Sequence, residues 1–315
     1  MIRIQILSKT ERNNLQTIEE IRLAELEKLK NLVNGEKAGW FARANERTNN
    51  FREAKTYNES SGIWSEIKKV YYETLQFSKC AYCEQKLEKE NIVHDVEHYR
   101  PKKNVRIWLN DERKQKLGFT FDDTADNGYY LLPYNIFNYV TTCKHCNSAL
   151  KSDYFPIAGT RKNNSEDFVE INTTEKPFLI YPLGHLEEIE PEKLIIFDGV
   201  LPIPHPDLSD NYLIQRAKVT IEFFNLAALR DTLIEERCEV IKSVFNAVKA
   251  ISETSNQDDI DEKIDEIKIA CSPKSRHSNC AKSFYNLCKN DIDRAKKIAR
   301  EAHIYLVTHR VEENA

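Results

Sequence analysis

The chain has 315 residues, 41% of them hydrophobic and 30% charged, with a formal net charge of −4. This is long enough for two domains, or for one core with a large elaboration, and the charge excludes a protein whose whole surface grips nucleic acid. No apolar run approaches the roughly 20 residues that cross a bilayer, so no membrane span and a cytoplasmic location are expected.

The opening "MIRIQIL" alternates Ile2, Ile4 and Ile6 with polar residues and reads as a strand, not a secretion signal. Leu15, Ile18, Leu29, Leu32 and Val33 then fall at helical spacing before Asn34-Gly35, a pair that commonly caps a helix C-terminus. Residues 40–60 show no clear period. A second helix is expected from about Gly62 to Phe77, with Ile63, Ile67, Val70, Tyr71 and Leu75 on one face.

Cys80-x-x-Cys83 follows directly and is matched downstream by Cys143-x-x-Cys146. A CxxC turn presents two thiolates at a bite suited to a tetrahedral zinc ion, and two such knuckles close a four-sulfur structural site. Eight cysteines without a secretion signal favour metal ligands over disulfides. The 59 residues between the knuckles leave room for an insertion. A closed zinc site is structural, so any catalyst must lie elsewhere.

The insertion carries "HDVEHYRPK". Period-two alternation puts Asp95 and Glu97 on one strand face and His98 on the other, with His94 exposed at the strand start. Phosphodiester hydrolysis needs a base for water and a hard cation for the phosphate, and a carboxylate beside a histidine offers one of each. Arg100, Lys102, Lys103, Arg106, Arg113, Lys114 and Lys116 follow against only Asp111 and Glu112, with Trp108 among them. Such a patch suits a polyanion backbone. Tyr129 to Val140 is expected to be extended, leading into the second knuckle, in which His145 is a candidate phosphate contact. Asn147 starts a short helix, where its amide oxygen can complete a carboxylate-bound magnesium site with Lys151 one turn on.

"PFLIYPL" and "KLIIFDGVLPI" read as two strands joined by the acidic turn "GHLEEIEPE". Beyond Asp207 the chain reads as helical. Leu213, Ala217, Ile221 and Phe224 form one stripe; Leu229, Leu233, Val240, Val244 and Val248 a second; Ile260, Ile264 and Ile267 a third; a last helix covers about Ile292–Leu306. Cys271, Cys280 and Cys288 with His277 lack CxxC spacing, so they and Cys238 are expected as buried thiols.

Cys-x-x-Cys, Asp-x-Glu-His-x-x-Pro, an interior Asn and Cys-x-x-Cys-Asn with a following Lys together resemble the HNH (ββα-metal) endonuclease motif. The resemblance implies His98 as general base, Glu97 and Asn147 as ligands of a catalytic Mg²⁺ or Mn²⁺, Asp95 as a carboxylate able to share that role, and Asn138 as the residue pinning the loop. Beside these, the residue pattern itself puts Zn²⁺ on the four cysteines and makes Arg100, Lys102, Lys103, Arg106 and Lys151 the expected nucleic-acid contacts. The texture after residue 177 is similar to PtuB-like HNH effectors of Septu and related retron anti-phage systems. This implies DNA as substrate and an ABC-type, RecF-like or SMC-like (PtuA-like) ATPase partner in a hetero-oligomer. The expected fold is α+β: an N-terminal strand and helices over 1–79, a zinc-knuckle ββα-metal core over 80–157, and a β-hairpin plus mostly helical region over 158–315. The competing readings are a non-catalytic zinc-stabilised nucleic-acid-binding or adaptor protein, and an HNH nuclease acting on RNA.

Overall fold

Capping chemistry sets the first helices. Ser8 with Glu11 and Thr17 with Glu20 form reciprocal capping boxes that start α1 (Lys9–Asn13) and α2 (Ile18–Glu36). The computed structural model describes residues 1–87, 94–227 and 231–312. Asn34-Gly35 does not end α2. The left-handed glycine falls instead at Gly39 (φ 73°), which leads into α3 (Trp40–Ala54), a helix the sequence pattern leaves unassigned. Its buried stripe is Trp40, Ala44, Thr48 and Phe51, and two of those four are too small or polar to register as an apolar period. The helix expected over Gly62–Phe77 is split into a 3₁₀ turn (Trp64–Ile67) and a π-helical turn (Val70–Leu75).

The opening segment is not a half-exposed strand. Ile2, Arg3, Ile4, Ile6 and Leu7 are all buried, and its sheet pairing shrinks to one parallel bridge, Ile4 with Leu183. Arg3 satisfies its guanidinium on the carbonyls of Glu187 and Glu188, at 3.0 and 2.9 Å, so the polar positions of the alternation also face inward.

At the centre, β1 (His94–His98) pairs antiparallel with β4 (Tyr139–Cys143), with Glu97 opposite Val140 and His98 opposite Tyr139. Between them lie β2 (Asn104–Val105) paired with β3 (Asp126–Asn127), and α4 (Asp111–Leu117). A π-helical turn, His145–Lys151, follows β4 directly. The order is therefore strand, strand, short helix, with the cysteine knuckles at its edge.

"PFLIYPL" does not form a strand. Phe178, Leu179, Ile180, Tyr181 and Leu183 are all buried, and side chains replace a partner strand. Thr220 bridges the Phe178 carbonyl and the Ile180 N–H, while Tyr99 and Arg216 donate to the Leu179 carbonyl. Instead β5 (Ile195–Asp198) and β6 (Leu201–Pro204) form a hairpin within the second apolar run. Gly199 at φ 60° makes that turn possible. Helices α5 (Phe168–Glu175) and α6 (Pro191–Leu194) frame this stretch.

The C-terminal part is α7 (Asn211–Phe223), α8 (Asp231–Glu253), α9 (Gln257–Ala270), α10 (Ser278–Asn290) and α11 (Ile292–Glu312). Helix α8 packs on α9, α10 and α11 around Ile234, Cys238, Ile241, Val244, Cys280, Phe284 and Cys288. A larger buried cluster runs from Met1 to Leu233. Leu229 lies outside the described residues, as does the side chain of His94. The fold is mixed α and β with small two-stranded sheets. No helix among the described residues is long and apolar enough to cross a membrane.

Candidate metal and catalytic site

The sulfurs of Cys80, Cys83, Cys143 and Cys146 all lie within 4.8 Å of one another. Cys83 Sγ and Cys143 Sγ are 3.9 Å apart, against about 3.8 Å for two thiolates on a tetrahedral zinc with 2.3 Å bonds. The Ala81 N–H donates to the Thr141 carbonyl at 3.1 Å, fastening the first knuckle to β4 beside the second. Burial pushes the Cys80 thiol well above its ordinary value, whereas hydrogen bonds from its neighbours, Cys146 first, drive Cys143 far down. A divalent cation bound here would hold all four sulfurs as thiolates.

The strand–strand–helix unit sorts the remaining candidates into two faces. On one, the π-helical turn lays Asn147 against Asp95 and Lys151 against Glu97. Asn147 Nδ2 is 3.5 Å from Asp95 Oδ2, and Lys151 Nζ is 3.5 Å from Glu97 Oε1. Asn147 is therefore brought to Asp95, not to Glu97, because residues four apart on a helical turn meet residues two apart on a strand. Asp95 is exposed and Glu97 buried. Burial pushes the Glu97 carboxyl up to about 7, with Lys151 and Lys102 pulling the other way. Lys151 is itself fully buried, and at that ion-pair distance its Nζ makes no hydrogen bond. Asp95 and Glu97 thus share one strand face with Asn147 and Lys151 of the turn.

On the other face sits His98, 5% exposed. Its Nε2 is 3.2 Å from the Pro133 carbonyl, which also accepts from the Tyr139 hydroxyl. A carbonyl can only accept, so Nε2 carries the proton and Nδ1 keeps the lone pair. Trp64 and Tyr139 meet the imidazole edge-on, with centroids at 4.8 and 5.2 Å. The ring is not at its ordinary pKa: burial, reinforced by the charge of Lys102, holds it well below. The shift favours the uncharged ring.

Asn138 holds the loop beyond β1. Fully buried, its Oδ1 accepts from Arg100 N–H at 2.8 Å, and its Nδ2 donates to the carbonyls of Arg100 and Leu132 at 3.0 and 3.1 Å. Gln76, which sequence reasoning passes over, braces the outer edge of β4 by exchanging two bonds with Thr141, both at 2.7 Å.

The basic run disperses. Arg100 cannot reach a nucleic acid: it is fully buried, bonded through Nε to Glu175 at 3.1 Å, and surrounded by the rings of Tyr99, Tyr129, Phe155 and Phe168. Lys151, likewise buried, faces Glu97 and not the surface. Trp108 is a core residue packed at a tilt against Phe223. Lys114 pairs with Asp111, and Lys116 with Glu112 and Glu222. Lys103 and Arg106 are exposed, the latter bonded to Ser152, and Lys102 is half-buried with its ammonium 4.6 Å above Trp64. His145 is exposed. Of the other cysteines, Cys238, Cys280 and Cys288 are buried thiols, and His277 pairs with Glu236 at 2.6 Å. Among the described residues, the four-cysteine cluster is the metal-capable grouping of His, Cys, Asp and Glu.

No family model and no solved structure matches the chain. Over 166 residues it is 27% identical to the Septu protein PtuB of Bacillus mycoides (strain KBAB4), a match that takes in 53% of this chain and 48% of that protein. The chain therefore spans about half the length of the curated relative it matches. It is a distant homologue of a Septu protein PtuB and carries a buried four-cysteine cluster able to hold a metal ion.

Proposed function

We propose that the chain is a metal-dependent endonuclease of the HNH (ββα-metal) type, with zinc on Cys80, Cys83, Cys143 and Cys146 as a structural element. The observation that carries this reading is that one short strand presents Asp95 and Glu97 to Asn147 and Lys151 of the following turn, while its next residue, His98, is oriented by the Pro133 carbonyl. A zinc-stabilised adaptor has no use for a buried Glu97–Lys151 ion pair on the strand that also carries a carbonyl-oriented imidazole. In this reading Asp95 and Asn147, with Glu97 behind them, hold Mg²⁺ or Mn²⁺, which when bound supplies positive charge to a phosphodiester.

His98 Nδ1 takes the proton from the attacking water while the Pro133 carbonyl fixes the ring through Nε2. Lys151 balances Glu97 from within the protein, and Lys102, Lys103 and Arg106 meet the polynucleotide backbone. Homology to a Septu protein supports a role in anti-phage defence with DNA as target and a PtuA-like ATPase partner. The test is nicking of supercoiled plasmid by the purified chain, alone and with such a partner, with Mg²⁺ or Mn²⁺. Cleavage lost in His98→Ala supports the reading; cleavage equal in wild type and His98→Ala transfers the chain to the adaptor class.

A further inference from the structure

Gly62 and Trp64 lie before the cysteine knuckles, in the stretch read from sequence as a packing helix. A Cβ on Gly62 would stand 1.7 Å from Cζ3 of the Trp64 ring and 2.2 Å from two more of its atoms. Gly62 is not in the left-handed region, so its backbone does not require glycine. The indole alone excludes a larger residue. With Gly62 on one side, the ring presents its face to the Lys102 ammonium at 4.6 Å and meets the His98 imidazole at 4.8 Å, interplanar angle 85°. The seat is itself anchored, since Trp40 Nε1 donates to the Ile63 carbonyl at 3.0 Å and Tyr134 lies 6.0 Å from Trp64.

We propose that Trp64, seated on Gly62, is a positioning residue: one indole orients the general base His98 and holds Lys102 over the path of the scissile phosphate. This rests on the nuclease reading given above. The physical requirement is an aromatic ring, because a cation over a π-face and an edge-to-face contact both need the ring quadrupole, whereas plain volume filling does not.

The test compares Trp64→Phe, Trp64→Leu, Gly62→Ala and the double variant Gly62→Ala/Trp64→Leu, each with full zinc content and a cooperative unfolding transition well above the assay temperature as the folding control. Trp64→Leu and Gly62→Ala should each lower the cleavage rate about 10²-fold, the scale of a small misplacement at a reacting centre. Trp64→Phe should recover most of it, and Gly62→Ala added to Trp64→Leu should cost little more, the collision having been removed. Equal rates for Phe and Leu, or additive losses in the double variant, would overturn the proposal. Independently of cleavage, NMR should find the Lys102 ε-methylene shifted upfield by the ring current relative to Lys103, and the shift lost in Trp64→Leu. No such shift in wild type also overturns it. A shift with no cleavage by any variant removes the nuclease reading on which it rests, and the proposal with it, although the Lys102–Trp64 contact itself stands.

Discussion

Asn138→Ala removes the side chain on which the end of β1 hangs. The Arg100 N–H and carbonyl both lose the partner they have in Asn138, whereas the Leu132 carbonyl still accepts from Asn135 N–H at 3.2 Å. Two stranded buried groups at about 1–3 kcal/mol each give a loss of about 2–6 kcal/mol. Set against a typical total of about 5–15 kcal/mol, that is a large fraction. Because Tyr99 N–H is also bonded to the Asn138 carbonyl, at 2.8 Å, the slackened segment includes the residue after His98. Cleavage should therefore fall further than the folded fraction alone explains. Asn138→Asp keeps the acceptor for Arg100 N–H but points a carboxylate oxygen at two carbonyls, and should be at least as damaging. Urea titration of zinc-loaded protein, followed by circular dichroism, measures the loss. An Asn138→Ala stability within about 0.5 kcal/mol of wild type would mean that neither group is held by this side chain.

Elemental analysis should find one zinc per chain, and Cys143→Ser should lose it together with the structure around the knuckles, structural zinc contributing about 10–16 kcal/mol in small finger peptides. His98→Ala should cost about 10²–10⁴ in cleavage rate with zinc content and folding intact, and plasmid nicking against circular dichroism checks this. Arg100→Ala should destabilise the fold without touching the salt dependence of DNA binding, while neutralising Lys103 and Arg106 should lower that slope by about one per phosphate contact, read from binding isotherms at several salt concentrations. Lys151→Met removes the charge that opposes the burial of Glu97, so in magnesium-free protein the Glu97 carboxyl should titrate above its present value of about 7; carboxyl-carbon NMR gives the answer, and a downward move contradicts the pairing.

Features that depend on spacing and chemical type were legible in the residues alone. Two CxxC pairs can bring four thiols together only as knuckles, and Cys80, Cys83, Cys143 and Cys146 do meet. Alternation in "HDVEH" put Asp95 and Glu97 on one strand face and His98 on the other, a consequence of the period of two that holds in any surroundings. The stripes after Asp207 likewise announced helices. The environment of each group came only from packing between distant segments. Arg100 and Lys151 read as surface cations because charge runs are usually solvated, yet partners far along the chain, Glu175 for one and Glu97 for the other, made burial tolerable. "PFLIYPL" has the composition of a strand, but Thr220, Tyr99 and Arg216 met its backbone groups before another strand could. Asn147 went to Asp95 because the register of the turn against β1, not the order of the motif, sets which side chains touch. Trp64 gave no local signal at all: its meaning arises from His98 and Lys102, more than 30 residues away, and from the absence of a Cβ at Gly62.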